Sequence, residues 1–274
     1  MLRLFNIEFY KFKRSKSAKV LSIIYFGLFA FIALFTSIRF DFGAVDFRVA
    51  EQGIFNFPYI WHFNAYFLAI LKIFLAIVIV SLMSSEYTNR TLKQNLIDGL
   101  SKWEFIQSKF SMVVALSLVS TLVYFIISLI LGLIFSDFTE PSIIFSDLEY
   151  VGAYFVKLIG FFSLCMFLGI LVKRSAFALG FLFLVWVLEG LIRLGINFQA
   201  QSLDFLKQFL PLQSMSNLIV EPVTKLDAIS SAANQLNPEF EKDYSVPVIS
   251  VVTVLVWTAF FVFGSYKLLQ KRDL

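Results

Sequence analysis

Long apolar runs separated by shorter polar ones dominate the chain. Six of them, Val20–Ile38, Tyr59–Met83, Phe110–Phe135, Val151–Val172, Ala176–Ile196 and Val246–Tyr266, carry the roughly 20 mostly apolar residues that a helix needs to cross a hydrocarbon core. A membrane-spanning β-strand would be only about 9–11 residues long and would alternate apolar with polar positions, and no such alternation occurs. The pattern predicts an all-α integral membrane protein with six transmembrane helices. The first run follows a basic stretch, as a signal peptide does. It exceeds the roughly 7–15 residues of a signal-peptide core and lacks a small-x-small cleavage site, so it reads as a retained helix.

The polar intervals have patterns of their own. In residues 1–19, Leu2, Phe5, Phe9 and Phe12 recur at helical spacing while Arg3, Lys13, Arg14 and Lys16 fall mostly off that stripe. This predicts an amphipathic helix in the membrane interface, its cations toward anionic lipid. Two readings stand for it: a charged topology anchor, or an elbow helix leading into the first span of the six-helix transmembrane domain, residues 20–274. His62, the only histidine, starts the second run beside Phe57, Tyr59 and Trp61. It reads as part of an interfacial aromatic belt, because no second histidine or nearby cysteine joins it as a metal ligand. In the long segment 197–245, apolar residues from Phe198 to Ile219 are too many for an aqueous loop and are broken by Pro211. A short re-entrant or surface-lying helical hairpin is expected there, followed by an exposed polar crest.

The polar interval 84–109 is far longer than the next one on the same side, which holds little more than Lys173 and Arg174. Thr91–Asp98 places Leu92 and Leu96 at i, i+4 and is closed by Gly99, suited to the left-handed residue after a helix. Ser101 and Glu104 then match a capping box that opens a second helix running through Phe105 and Lys109 into the third span. Glu86 and Arg90, four apart, have the spacing of a helical ion pair. Helix, hinge and helix suit either a solvated hairpin with Trp103 and Phe105 resting on the membrane, or a surface for a docking protein.

Composition agrees and adds orientation. The 274 residues are 59% hydrophobic and 15% charged, with a mean hydropathy of +0.81, too apolar for a soluble domain. Of 23 Lys and Arg residues, 15 fall on the side of the N-terminus and five on the opposite side; Lys72, Lys157 and Arg193 lie within runs. Because basic segments resist translocation, both termini are expected in the cytoplasm. The net charge of +4 is then a topological bias and no evidence for nucleic-acid binding. Cys165 lies alone in the fourth run, so it forms no intramolecular disulfide.

Charges within spans are costly and usually face a bundle interior. Lys72 lies mid-run, and Glu189 and Arg193 are four apart. They read either as the polar lining of a translocation path or as structural pairs, Lys72 with Glu189 or Glu189 with Arg193. The chain has no H-E-x-x-H, no Ser–His pair in the spans and no G-x4-G-K-[ST] phosphate loop, which speaks against an intramembrane enzyme and against ATP hydrolysis in this chain.

The run Glu86-x3-Arg90-Thr91-x-Lys93-x2-Leu96-x2-Gly99-x-Ser101-Lys102-x-Glu104-Phe105-x3-Lys109 resembles the cytoplasmic loop of permease subunits of type-2 ATP-binding-cassette (ABC) exporters. "IEFYKFKRSKS" is similar to the elbow helix of that family and "FLPLQSMSNLI" to its segment before the last span. Many members have arginine where Lys102 stands; lysine keeps the charge and loses the planar fork. The resemblance implies a coupling helix between spans two and three, with Glu86, Arg90, Thr91, Lys93, Gly99, Ser101, Lys102, Trp103 and Glu104 contacting cytoplasmic ABC ATPase subunits. It also implies a second permease copy or paralogue as homo- or heterodimer partner, a lipid environment in a bacterial cell (inner/plasma) membrane, and no cofactor in this chain, ATP and Mg being bound by the ATPase. Alternatives are an ion-coupled secondary transporter, with Lys72 and Glu189 as coupling groups, or a non-transporting membrane scaffold.

Overall fold

In a bilayer the backbone must satisfy its own N–H and C=O groups, so apolar runs fold as helices. The computed structural model describes residues 2–37, 39–41, 46–48, 54–199, 201–225 and 243–272. Helices α1 (Leu2–Arg14) and α2 (Lys16–Ser37) lead to a short antiparallel ribbon, β1 (Arg39–Asp41) with β2 (Asp46–Arg48), Arg39 opposite Arg48. Then come α3 (Tyr59–Thr88), α4 (Thr91–Ile97), α5 (Lys102–Phe135), α6 (Pro141–Ile144), α7 (Glu149–Val172) and α8 (Ser175–Gln199). A 3₁₀ helix (Gln201–Phe209), α9 (Pro211–Asn217), a 3₁₀ turn (Val223–Lys225) and α10 (Val248–Gln270) complete the order.

Among the described residues, five helical units are long and apolar enough to cross a membrane: α3, α5, α6 with α7, α8 and α10. The pair 3–14 and 16–32 passes the same test only when joined, and it is bent by 81°. Large apolar side chains such as Phe183, Trp186, Leu191 and Phe260 face outward, the surface that hydrocarbon solvent demands.

Helix α7 is the centre of the bundle, packed against α3, α5, α8 and α10. Two of its glycines explain how closely. A Cβ on Gly160 would lie 2.5 Å from a Val254 methyl of α10, and one on Gly169 2.7 Å from Met83 Cβ of α3. Small residues at such crossings let helices approach where burial from water gives no driving force. Buried hydroxyls cross-link the interior: Tyr25, Ser120 and Tyr154 join α2, α5 and α7, and Asn64 Nδ2 donates to Ser128 Oγ at 2.9 Å.

At the end of the bundle where α9 lies, aromatic groups hold the connecting segments. Trp61 Nε1 donates to the Ile144 carbonyl at 2.9 Å and Tyr150 OH to the Tyr244 carbonyl at 2.7 Å. His62 departs from the expected interfacial belt. It is fully buried, stacked on Tyr150 at 4.2 Å, and its Nε2 meets the Val220 carbonyl at 2.7 Å, so it clamps α3 to the chain after α9. Lys225 sits over the Tyr150 and Tyr244 rings, and burial holds its ammonium below the usual lysine range. The expected hairpin is two short helical pieces split at Pro211, with Ser214, Met215, Leu218 and Ile219 buried. Most of the expected polar crest, residues 226–242, lies outside the described residues.

Candidate functional site

Beyond the opposite end of α3 the chain turns sharply. Arg90 takes φ +56°, a left-handed conformation uncommon for a residue with a side chain, and α4 starts on a new axis. Leu92 anchors it by burial and Leu96 packs against the same core. Its far end closes as the spacing predicts. Gly99 adopts φ +95°, its N–H donates to the Leu96 carbonyl at 3.2 Å, and Leu100 N–H donates to Asn95 at 3.0 Å, the two bonds of a Schellman cap. The capping box also forms: Glu104 N–H donates to Ser101 Oγ at 3.2 Å, and Ser101 N–H to Glu104 Oε2 at 2.9 Å. What remains outward on α4 and its flanks is Arg90, Lys93, Gln94, Ile97 and Asp98, with Ile97 75% exposed.

Under α4 lies a buried charge cluster. Glu86 and Arg90 do not form the expected helical pair, because the turn at Arg90 leaves it exposed while Glu86 is buried. Glu86 instead binds Lys109 of α5 and Lys11 of α1, the latter at 2.7 Å, and accepts the Thr91 hydroxyl. Glu8 of α1 completes it, 2.6 Å from Lys109 Nζ and 3.1 Å from Lys11 Nζ. Two acids and two bases thus tie α1, α3, α4 and α5 together. Helix α1 is therefore more than a surface cation stripe.

The next residues also work within the chain. Lys102 Nζ donates to the Gln270 and Arg272 carbonyls at 3.3 and 3.1 Å, a cation at the C-terminus of α10. Trp103 packs edge-on against Tyr266 at 5.1 Å and stays 39% exposed. Arg272 Nη2 reaches the Leu171 carbonyl of α7 at 2.7 Å. Of the nine residues singled out here, Glu86 and Thr91 face the cluster, Gly99, Ser101 and Glu104 shape the helix ends, Lys102 secures α10, and Arg90, Lys93 and Trp103 are exposed.

Glu8, Lys11 and Arg272 escaped the sequence reading. A signal for Glu8 exists: it is the single acid in the first 40 residues, amid six cations in the first 19.

Lys72, Glu189 and Arg193 do come together, around a cavity of about 700 Å³ between α3, α7, α8 and α9 that Lys157 also lines. Their pairing differs from expectation. Glu189 Oε2 and Oε1 accept the backbone N–H groups of Leu212 and Gln213 at 2.9 and 2.5 Å, capping α9 from a neighbouring helix. Arg193 bonds the Gln213 side chain. Lys72 pairs with neither; its Nζ lies 4.5 Å from the Phe161 ring centre. Among the described residues, no group of His, Cys, Asp and Glu gathers as metal ligands.

A family profile described as "Protein of unknown function (DUF2705)" matches residues 56–274. The chain belongs to the DUF2705 family. No curated protein matches it. The DUF2705 region includes α4, the cavity and, within the charge cluster, Glu86 and Lys109; Glu8 and Lys11 precede it.

Proposed function

We propose that this DUF2705 chain is the permease subunit of an ATP-driven exporter, with six spans, both termini in the cytoplasm and α1 as an interfacial elbow. A separate ATPase, which binds ATP and Mg, docks on α4 as a coupling helix, and a second permease copy or paralogue completes the path. The observation that carries the reading is the form of α4: a short, capped helix whose outward face is polar and exposed among the described residues, braced from beneath by a charge cluster drawn from three other helices. A loop that merely joined two spans would have no use for such bracing, whereas a handle that transmits force must be stiff. Glu86, at the root of α4, and Lys72, at the cavity, lie on the same continuous helix α3. Displacement of α4 thus has a rigid route of roughly 21 Å, at 1.5 Å per residue, to the cavity. The ion-coupled alternative is disfavoured by Glu189, whose two carboxylate oxygens are committed to α9.

The test uses exposed positions that leave the cluster intact. Lys93→Glu and Ile97→Asp, made together, should abolish co-purification of an ATPase while leaving the thermal midpoint of the detergent-purified chain within a degree or two of wild type. Undiminished ATPase recovery with the double variant would refute the docking assignment.

A further inference from the structure

The cavity wall carries two lysine amines that have no acid partner among the described residues. Lys157, on the central helix α7, is 4% exposed and lines the cavity, yet among the described residues no hydrogen bond or ion pair reaches its ammonium. Lys72 has only the face of Phe161, one helical turn along α7 from Lys157, so the two ammonium groups converge on the same stretch of wall. Glu189 is occupied by the N-terminus of α9 and Arg193 by Gln213.

Magnitudes decide whether this is ordinary packing. Each charge within the hydrocarbon costs at least about 2.5–3.5 kcal/mol, and a ring contact returns about 0.5–2 kcal/mol to only one of them. An anion between them would offset that cost and hold both amines in the charged form. The rest of the wall says what kind. Ile73, Leu182 and Trp186 make it largely apolar, and the outward exposure of Ile73, Phe183 and Trp186 opens it sideways between α3 and α8, toward hydrocarbon.

We infer that this cavity binds an amphiphile with an anionic head, the head between Lys72 and Lys157 and the hydrocarbon tail along α3 and α8. As a substrate class it rests on the export reading; as a binding site it does not. The shared chemistry is a phosphate or carboxylate on an acyl chain, whether from a bilayer phospholipid or a single-chain amphiphile.

Equilibrium binding of radiolabelled dodecyl phosphate to the full chain in phosphatidylcholine nanodiscs tests it. Saturable binding is expected, at least tenfold weaker in Lys157→Met and in Lys72→Met and retained in Lys72→Arg, with thermal melting confirming that each variant is folded. If Lys157→Met does not fold, the Lys72 pair gives the same comparison. Displacement by phosphatidylglycerol upholds the site with a bilayer lipid as its source; no displacement upholds it with a single-chain source. Absence of saturable binding, binding as tight as wild type by both folded methionine variants, or displacement by dodecanol or inorganic phosphate as effective as by unlabelled dodecyl phosphate would overturn the proposal. These outcomes are independent of ATPase recovery on α4, so loss of one reading leaves the other measurable.

Discussion

Glu86 is 1% exposed and takes three donors, the ammonium groups of Lys11 and Lys109 and the Thr91 hydroxyl. Removing one member of such a buried set strands its partner's charge, at a cost of about 3–5 kcal/mol, whereas removing a complementary pair costs far less. Glu86→Gln and Lys109→Met should therefore each lower the thermal midpoint of the purified protein, and the double variant should lose clearly less than their sum. Additive losses would show that the two groups act independently. The sequence exposes Glu86 as unusual but supplies the wrong partner, because helical spacing is the only pairing that a linear reading makes visible. Lys11 and Lys109 lie 75 and 23 residues away and are brought in by the packing of α1 and α5. Glu189 repeats the point: Arg193 is its neighbour in spacing, but backbone N–H groups of α9 meet it in space.

At the scale of elements, most of the fold is legible. All six apolar runs become helices with one end within a residue or two of the predicted one; α3 and α5 extend beyond the runs because a helix continues past the hydrocarbon until a turn or cap stops it. The punctuation around α4 places it to within a residue, since Gly99 and the Ser101–Glu104 box are local chemistry. Helix α6 has Pro141 at its first position but only four residues, too short for a periodic signal, and the 3₁₀ piece before Pro211 has no such cap motif at its start. Gly99 has open space around its Cα, so any cost of substitution there comes from its φ of +95°. Gly99→Val should weaken the α4 cap by about 1–2 kcal/mol, raising amide hydrogen exchange over 94–100 roughly five- to thirty-fold, while Gly99→Asn changes it little. Equal exchange in the two variants would remove the hinge conformation from the account of α4.

For the whole molecule, charge and packing distinguish the two ends of the bundle. One end carries the α4 bracket, where α1, α3, α4, α5 and α10 are cross-tied by buried charges, Lys102 and Arg272. Nearer the other lies the lysine-lined cavity, with α9 held against α8 by Glu189 and Arg193. Helix α3 belongs to both, and α7, glycine-notched on two sides, is the fixed post against which it would move. In the proposed topology the excess of basic residues on the α4 side assigns that end to the cytoplasm, the side from which the proposed ATPase would dock. The most direct measurement is photocrosslinking from the exposed tip of α4 in living cells, with Ile97→p-benzoylphenylalanine in the otherwise intact chain. The predicted result is a crosslink to a protein carrying a G-x4-G-K-[ST] phosphate loop. A chain present in the membrane at its normal level, crosslinking to no ATP-binding protein, would contradict the coupling role.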